Sequence, residues 1–307
     1  MISLNDFSPV NLDNKNILED YFRRYPQVHS DNTIITMLSW NHYAHYHYTI
    51  KNNSLIIMTI VDGERTFRPP IGEEDDALLS DLLCLAYEEG GSTPFQALDE
   101  RGHHWFRRMY PEIPLYEDRD FADYVYLSTD LAGLPGKKYL TIRGHLNKFN
   151  RTTDFTVEAI RSGFIGEIIE FLEEWCEWKH CDEYPVLAHE KDAVLYAVHH
   201  YDELNCQGIL IRTNQGIGAI AIWGQLNDDT IVVHFEKALP GYDGIYKAIN
   251  MQTAKAVQSR YRFINRESDM GEPGLREAKR RYHPHHMVPV WSVRRSDMDA
   301  GRERFCR

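Results

Sequence analysis

The sequence predicts an α+β protein that contains two copies of one folding unit. The second half of the chain gives the clearest pattern, because three apolar strands are followed by a helix, a short strand, a second helix and a last strand. The first half shows the same succession less regularly. Two units also agree with the length of 307 residues, at roughly 100 to 200 residues per domain. An internal duplication of one α+β unit is therefore the predicted architecture.

The first half is expected to begin as a strand meander. Its candidate strands are rich in Ile, Thr and Tyr, and they cover residues 33–39, 46–51 and 55–61. The acids at 73–76 then favour a helix N-terminus, and the apolar stretch after them ends at Gly90-Gly91. A strand over 94–98 and a helix over 99–109 follow.

The middle of the chain is predicted to contain one strand and three helices. They cover residues 123–129, 137–150, 163–178 and 189–205, and the first of the helices is basic. The second half continues with strands over 208–213, 218–225, 230–237, 263–265 and 288–293, and with helices over 241–257 and 274–282. This organisation divides the chain into a unit over 1–150, a unit over 151–295 and a polar, frayed tail over 296–307.

Composition and charge exclude several classes of protein. The formal net charge of −12 disfavours nonspecific wrapping of a polyanion, which requires many cationic contacts. The longest apolar run, near residues 54–61, is far below the roughly 20 residues of a membrane-spanning helix. The first 14 residues do not resemble a secretory signal. Five cysteines are few and odd in number, so we expect reduced thiols and a cytoplasmic protein.

Two segments carry a specific resemblance. The first, from Asp130 to Phe149, reads DLAGLPGKKYLTIRGHLNKF, and the second, from Ile264 to Pro284, reads INRESDMGEPGLREAKRRYHP. Together they resemble the soluble C-terminal domain of phosphatidylglycerol lysyltransferases and its free-standing relatives, over about residues 20–295. The resemblance implies two tandem GNAT-like acyltransferase units, each a mixed central sheet flanked by helices. It also implies transfer of an aminoacyl group from aminoacyl-tRNA, which the best-known relatives deliver to a lipid headgroup.

A turn before the helix at 241–257 is the candidate donor site. In a GNAT unit, this turn offers backbone N–H groups and the positive helix end to the phosphates of the donor. The candidate donor-binding residues are Gly241, Tyr242, Gly244 and Tyr246. Asp243 would repel a pyrophosphate, which counts against an acyl-CoA donor and leaves room for the end of an aminoacyl-tRNA. An ordinary strand-to-helix turn is the alternative interpretation.

The candidate catalytic residues follow the predicted strand 263–265. Acyl transfer needs a group that accepts the proton of the nucleophile, and Glu267 or Asp269 is expected to serve as this base or to bind an aminoacyl ammonium. Tyr282 is the candidate proton donor to the leaving group. The alternatives are a solvated acidic loop with a helix cap and a buried core tyrosine.

Cations in both segments are candidates for binding an acceptor or a phosphate. Those near the acids are Arg266, Arg276 and Lys279, and those in the basic helix are Lys137, Lys138 and Arg143. The basic helix is expected to meet an RNA backbone or an anionic headgroup. Solvated helix charge is the alternative in both places.

The sequence is compatible with three functions. The leading one is an aminoacyl or acyl transferase that uses aminoacyl-tRNA, with catalysis in the second unit and an amine or hydroxyl acceptor, either a small molecule or a lipid headgroup. The alternatives are an acyl-CoA-dependent N-acyltransferase acting on a small amine, and a non-catalytic module that binds tRNA or a metabolite. No metal is expected, because Cys176, His180 and Cys181 lack a second ligand pair. No cofactor beyond the acyl donor is implied.

Overall fold

The chain forms two compact units in a computed structural model that describes residues 2–306. One unit contains the chain up to Ala122 and again from Val288 onward, and the other contains residues Asp123–Met287. We call them the first and the second unit.

Up to Ala122, the first unit contains both strands and helices. Its strands here are β1 (Ser8–Pro9), β2 (His47–Lys51), β3 (Ser54–Val61), β4 (Glu64–Phe67), β5 (Phe95–Leu98) and β6 (Tyr116–Glu117). Its helices here are α1 (Lys15–Arg24), α2 (Ile34–Ser39), α3 (Asn41–Ala44), α4 (Asp76–Glu89) and α5 (Glu100–Met109).

The second unit contributes the middle of the chain. Its strands are β7 (Asp123–Leu127), β8 (Phe155–Ala159), β9 (Gln207–Thr213), β10 (Gly216–Gln225), β11 (Thr230–Ala238), β12 (Phe263–Asn265) and β13 (His286–Val288). Its helices are α6 (Ser128–Gly133), α7 (Leu140–Thr152), α8 (Ile165–Lys179), α9 (Pro185–His199), α10 (Ile245–Val257) and α11 (Pro273–Arg280). The chain then returns to the first unit with β14 (Trp291–Val293), α12 (Arg295–Met298) and α13 (Arg302–Phe305).

Each unit is built around one mixed sheet of seven strands. The orders are β1-β2-β3-β4-β5-β14-β6 and β13-β7-β12-β11-β10-β9-β8. In each sheet, two strands that flank a helix in the chain pair in parallel, β4 with β5 across α4 and β11 with β12 across α10. The other pairs, apart from that of β13 with β7, are antiparallel. This topology confirms the predicted α+β class and the duplication of one unit.

The bounds of the two units differ from the predicted bounds of 1–150 and 151–295. Strand β7 precedes the predicted boundary at residue 150 but pairs with β12, and β14 pairs with β5 and β6 of the first sheet. Each half of the chain therefore supplies a strand to the sheet of the other half, which periodicity along the chain does not reveal. The expected frayed tail also folds, because Met298 and Phe305 are buried in the core of the first unit.

One predicted strand is a helix. Residues 33–39 were expected in the strand meander, but Ile34–Ser39 form α2 and all six are buried. The Thr33 side chain caps this helix by accepting a hydrogen bond from the backbone N–H of Thr36. Burial on all sides and the cap outweigh the strand preference of a run rich in Ile and Thr.

The structure contradicts the expectation of reduced thiols. Cys84 pairs with Cys306, because α13 packs against α4, and Cys176 pairs with Cys181 around the left-handed residue His180. Cys206 is buried as a free thiol. Within residues 2–306, none of the helices combines the length and the apolar character that crossing a bilayer requires.

Candidate functional site

Strands β11 and β12 separate soon after they pair. Their parallel register holds for three residue pairs and ends at Val232 opposite Asn265. At the same point β11 has a bulge, since Trp223 of β10 lies opposite Val233 and Ile222 lies opposite Phe235, which leaves His234 as the extra residue. Bulges redirect side chains and are frequent beside active sites. Polar side chains gather where these two strands separate.

Glu267 and His234 form the centre of this group. His234 Nδ1 lies 3.1 Å from Glu267 Oε1, and the exposed fractions of the two side chains are 2 % and 34 %. Burial raises the pKa of the Glu267 carboxyl, and the hydrogen bond from His234 opposes that rise. The buried His234 therefore orients the Glu267 carboxyl. Glu267 itself reaches solvent, and its pKa is raised above the usual value.

The backbone at Glu267 is held in a left-handed conformation, with φ at 58°. Its N–H donates to Asn265 Oδ1 at 2.7 Å, and its carbonyl accepts from the N–H of Tyr124 at 3.2 Å. Lys279 Nζ donates to the same carbonyl at 3.1 Å and to the carbonyls of Arg266 and Ser268. Such a conformation is uncommon for a residue with a side chain, and strained backbone of this kind clusters at functional sites.

Lys279, which the sequence predicts as a ligand-binding cation, instead binds groups of the protein backbone. It is 7 % exposed, and its burial lowers the pKa of Lys279 to about 8. Its ammonium lies among three backbone carbonyls of the turn. It fixes the turn that carries Glu267.

Asp269 is fully buried and surrounded by donors. Arg276 donates to it through Nε at 3.0 Å and Nη2 at 2.7 Å, Tyr124 donates its hydroxyl, and Gly271 donates its N–H at 3.1 Å. Burial alone would raise the pKa of Asp269, but the hydrogen bonds from Arg276 and Tyr124 outweigh it and hold the pKa well below its usual range. A carboxylate bound in this way is a poor proton acceptor, which argues against Asp269 as a base and against Arg276 as a phosphate ligand.

Arg266 is also paired within the chain. Its Nη2 donates to Glu236 Oε1 at 3.0 Å, and Asn250 Nδ2 donates to the other oxygen of Glu236 at 3.3 Å. The guanidinium carbon lies 5.1 Å from the centre of the Tyr282 ring. Tyr282 is 8 % exposed, and burial raises the pKa of its hydroxyl above the usual value.

The candidate donor turn has the backbone that its glycines suggested. Gly241 and Gly244 have φ of 94° and 97°, and a Cβ on Gly244 would lie 2.6 Å from the carbonyl oxygen of His145. Lys148 Nζ and His145 Nδ1 contact the Asp243 carboxylate at 2.7 and 3.2 Å, and these bonds lower the pKa of Asp243. The basic helix α7 thus neutralises the acid at the start of α10.

The two tyrosines of this turn have partners within the second unit. The Tyr242 hydroxyl donates to Gln215 Oε1 at 2.8 Å and lies 3.0 Å from Thr213 Oγ1. The Tyr246 hydroxyl accepts from Trp175 Nε1 at 3.4 Å, and burial raises the pKa of Tyr246. Tyr246 therefore supports the turn from within.

The basic residues just before α7 and in its first turn differ in their contacts. Lys137 and Lys138 are exposed in a short 3₁₀ turn, and Lys138 Nζ lies 3.4 Å from Asp130 Oδ2. Arg143 donates to the carbonyls of Leu134 and Gly136, so it closes the preceding turn. The two lysines remain on the surface, whereas the arginine is used by the fold.

Sequence reasoning missed several members of the site. They are Tyr124, His234, Glu236 and Asn250. A signal existed for two of them, because His234 and Glu236 follow the apolar residues 231–233 within one strand over 230–238. Polar residues in a buried strand need partners, and this requirement identifies them as site candidates.

A family model for the C-terminal region of phosphatidylglycerol lysyltransferase matches residues 22–294. The chain belongs to this family. The phosphatidylglycerol lysyltransferase C-terminal family thus accounts for both units. A comparison with curated proteins gives no match.

Solved structures agree with the family on the fold. A conserved protein of unknown function from Bacteroides thetaiotaomicron is 28% identical, with a TM-score of 0.87 over 94% of this chain and 99% of that one. The C-terminal domain of a putative lysylphosphatidylglycerol synthetase from Agrobacterium fabrum is 13% identical, with a TM-score of 0.66 over 95% and 94%. L-PGS from Bacillus licheniformis is 14% identical, with a TM-score of 0.62 over 91% of each chain. These structures share the arrangement of two mixed sheets flanked by helices, and the family supports a transferase.

Proposed function

We propose that the chain is an aminoacyltransferase that moves an aminoacyl group from aminoacyl-tRNA to an amine or hydroxyl acceptor. The observation that carries the proposal is the pair of Glu267 and His234 where β11 and β12 separate. It combines a carboxyl of raised pKa, an orienting histidine and a left-handed backbone held on both sides. These are the properties of a prepared general base.

Glu267 accepts the proton of the attacking group in this proposal. The nitrogen or oxygen of the acceptor forms a bond to the ester carbonyl of the aminoacyl-tRNA, and the ester bond to the terminal ribose breaks. The ribose oxygen leaves with a proton, for which Tyr282 is the candidate donor because its hydroxyl is protonated at neutral pH; the proton that Glu267 accepted then returns to Tyr282 through solvent and restores both groups. His234 acts by positioning, because its Nδ1–H donates to Glu267 and its ring is buried.

The donor turn favours an aminoacyl-tRNA over an acyl-CoA. Asp243 places a carboxylate before the first turn of α10, where a pyrophosphate would otherwise lie, and Lys148 and His145 already pair with it. The exposed Lys137 and Lys138 supply a local basic patch for an RNA backbone, within a chain whose net charge is −12. We propose no cofactor beyond the donor. A cytoplasmic location, where charged tRNA is made, is part of this proposal.

The test is transfer by the purified full chain. A labelled pool of mixed aminoacyl-tRNA is incubated with the protein and an extract of small metabolites and lipids, beside a parallel reaction with labelled acetyl-CoA. We expect label to leave the tRNA only when the extract is present, and the labelled product then identifies the acceptor. Loss of label from acetyl-CoA alone would show that the donor is an acyl-CoA and not an aminoacyl-tRNA. No transfer in either reaction would contradict the enzyme assignment.

Matched variants then test the site itself. Glu267→Gln removes the proton acceptor and should lower turnover by at least about 100-fold, in line with the contribution of general-base catalysis. Glu272→Gln removes the same charge five residues along the chain at an exposed position and should leave turnover unchanged. Equal activities of the two variants would remove Glu267 from the mechanism.

A further inference from the structure

The first unit contains a cavity beside its parallel strand pair, and the corresponding pair of the second unit carries the proposed catalytic site. Strands β4 and β5 pair in parallel at Phe67 opposite Phe95 and then separate. The cavity lies beside the residues that follow, and its lining includes Arg68, Ala97, Asp99, Arg101 and Trp105. Both units therefore have a parallel strand pair that diverges, and in the first unit a cavity lies beside it.

The backbone after the two parallel pairs matches at one position. Glu267 lies two residues after Asn265, the last paired residue of β12, and has φ of 58°. Ala97 lies two residues after Phe95, the paired residue of β5, and has φ of 56°. A left-handed residue is thus present at this position in both units, within β5 in the first and after β12 in the second. The first unit has a methyl group where the second has a carboxylate, so it lacks the proton acceptor at this position.

Arg68 supplies the binding group of this cavity. It is 4 % exposed, and its Nε has no hydrogen-bond partner within residues 2–306. Nη1 is occupied, since it donates to the Asp31 carbonyl and to Asn32 Oδ1 at 3.1 and 2.8 Å, whereas Nη2 makes only a long contact of 3.4 Å with Asp31 Oδ2. Along the edge formed by these two nitrogens, Nε is therefore the unsatisfied donor of a buried guanidinium and Nη2 is only weakly paired, and leaving a buried donor unpaired is unfavourable.

The second unit shows what satisfies such an edge. Arg276 uses the same two nitrogens, Nε and Nη2, to hold both oxygens of the Asp269 carboxylate. Arg–carboxylate pairs of this two-pronged geometry are strong and directional. A carboxylate that enters the cavity would complete Arg68 in the way that Asp269 completes Arg276.

We propose that this cavity of the first unit binds a small molecule with one carboxylate and a short apolar body. Pro26, Pro69 and Pro70 and the Trp105 ring line the cavity and suit an apolar body. Arg101, an exposed residue of α5 that also lines it, adds a second cation. Asp99 lines the cavity and Asp31 contacts Arg68, so a singly charged carboxylate is favoured over a phosphate with two charges. The proposal does not depend on the transferase reaction.

The test is isothermal titration of the full chain with three probes: butyrate, the neutral butyramide and inorganic phosphate. Butyrate should bind, and butyramide should bind at least about tenfold more weakly, because it lacks the charge that Arg68 requires. Phosphate should also bind more weakly than butyrate. Equal binding of butyramide, tighter binding of phosphate, or no binding of butyrate up to about 10 mM, the upper end of weak small-ligand affinity, would each overturn the proposal.

Variants locate the binding. Arg68→Lys keeps the charge but removes the Nε–Nη2 edge, and Arg101→Ala removes the second cation; each should weaken butyrate binding, Arg68→Lys by at least about tenfold. Arg107→Ala is the matched control, since Arg107 is exposed on α5 and is not part of the cavity lining. A thermal unfolding profile checks that Arg68→Lys folds. If Arg68→Lys does not fold, Arg101→Ala still tests the site, because Arg101 is exposed. Unchanged binding in Arg101→Ala and in folded Arg68→Lys would refute the site.

Discussion

Replacing Arg276 with Met should destabilise the second unit, because the Asp269 carboxylate would remain buried without its cation. Arg276 donates two hydrogen bonds, at 3.0 and 2.7 Å, to a side chain that is fully buried, while 32 % of its own side chain is exposed. Removing one partner of a buried ion pair costs roughly 3–5 kcal/mol. The partial exposure of Arg276 places the expected loss near the lower end, about 3 kcal/mol.

The assay is the free energy of unfolding from urea denaturation, with Arg280→Met as the control. Arg280 is exposed on the same helix, so its replacement should change stability by no more than about 0.5 kcal/mol. Adding Asp269→Asn to Arg276→Met should recover part of the loss, since the double variant no longer buries a charge. A loss below about 1 kcal/mol for Arg276→Met, or a coupling energy near zero in the double-mutant cycle, would refute this reasoning.

The same pair predicts a pH dependence. Because the pKa of Asp269 is held below its unfolded value, its contribution to stability is complete above roughly pH 4 and is lost as the pH falls further towards the folded pKa. Arg276→Met should therefore lose less stability than the parent chain between about pH 4 and pH 2. An unchanged slope of unfolding free energy against pH in this range would contradict the assignment.

Three further predictions concern the turns, the thiols and the base. Gly244→Ala should cost at least about 1 kcal/mol more than Gly241→Ala in urea unfolding: both glycines have positive φ, but only Gly244 would bring a Cβ against the His145 carbonyl. Alkylation of the unfolded, unreduced protein should label Cys206 alone, as mass spectrometry would show, and labelling of all five cysteines would disprove both disulfides. Transfer activity should fall as the pH drops through the raised pKa of Glu267, because the ionised carboxylate is the proton acceptor; a rate that rises towards acid pH would exclude this role.

The elements that the sequence predicted well are those with local signals. Helix α4 begins after Asp75, whose side chain accepts from the N–H of Leu78, and ends at Gly90, and both signals lie within a few residues of the helix. The exchange of β7 and β14 between the sheets has no local signal. Nothing in the sequence of either strand names its sheet, and only the pairing of β7 with β12 and of β14 with β5 assigns each strand to a unit.

The sequence shows the candidate residues of the site but not their partners, for the same reason. Glu267 is a candidate because an acid after a strand end is visible in one chain. The sequence also shows the charges of Arg266, Arg276 and Lys279, but a charge does not reveal its partner. Each of these cations has its counterpart in the fold, namely a glutamate, an aspartate and three backbone carbonyls.

These internal partners link the stability of the second unit to its chemistry. A left-handed backbone at a glutamate is unfavourable by itself, so the turn at Glu267 persists only when its surroundings determine it. Lys279 holds its carbonyls, Asn265 holds its N–H, and Arg276 fixes Asp269 two residues further on. In the proposed mechanism, the cations that resemble ligands for a phosphate therefore act through the position of one carboxylate, and loosening any of them should lower both the unfolding free energy and the turnover that depends on Glu267.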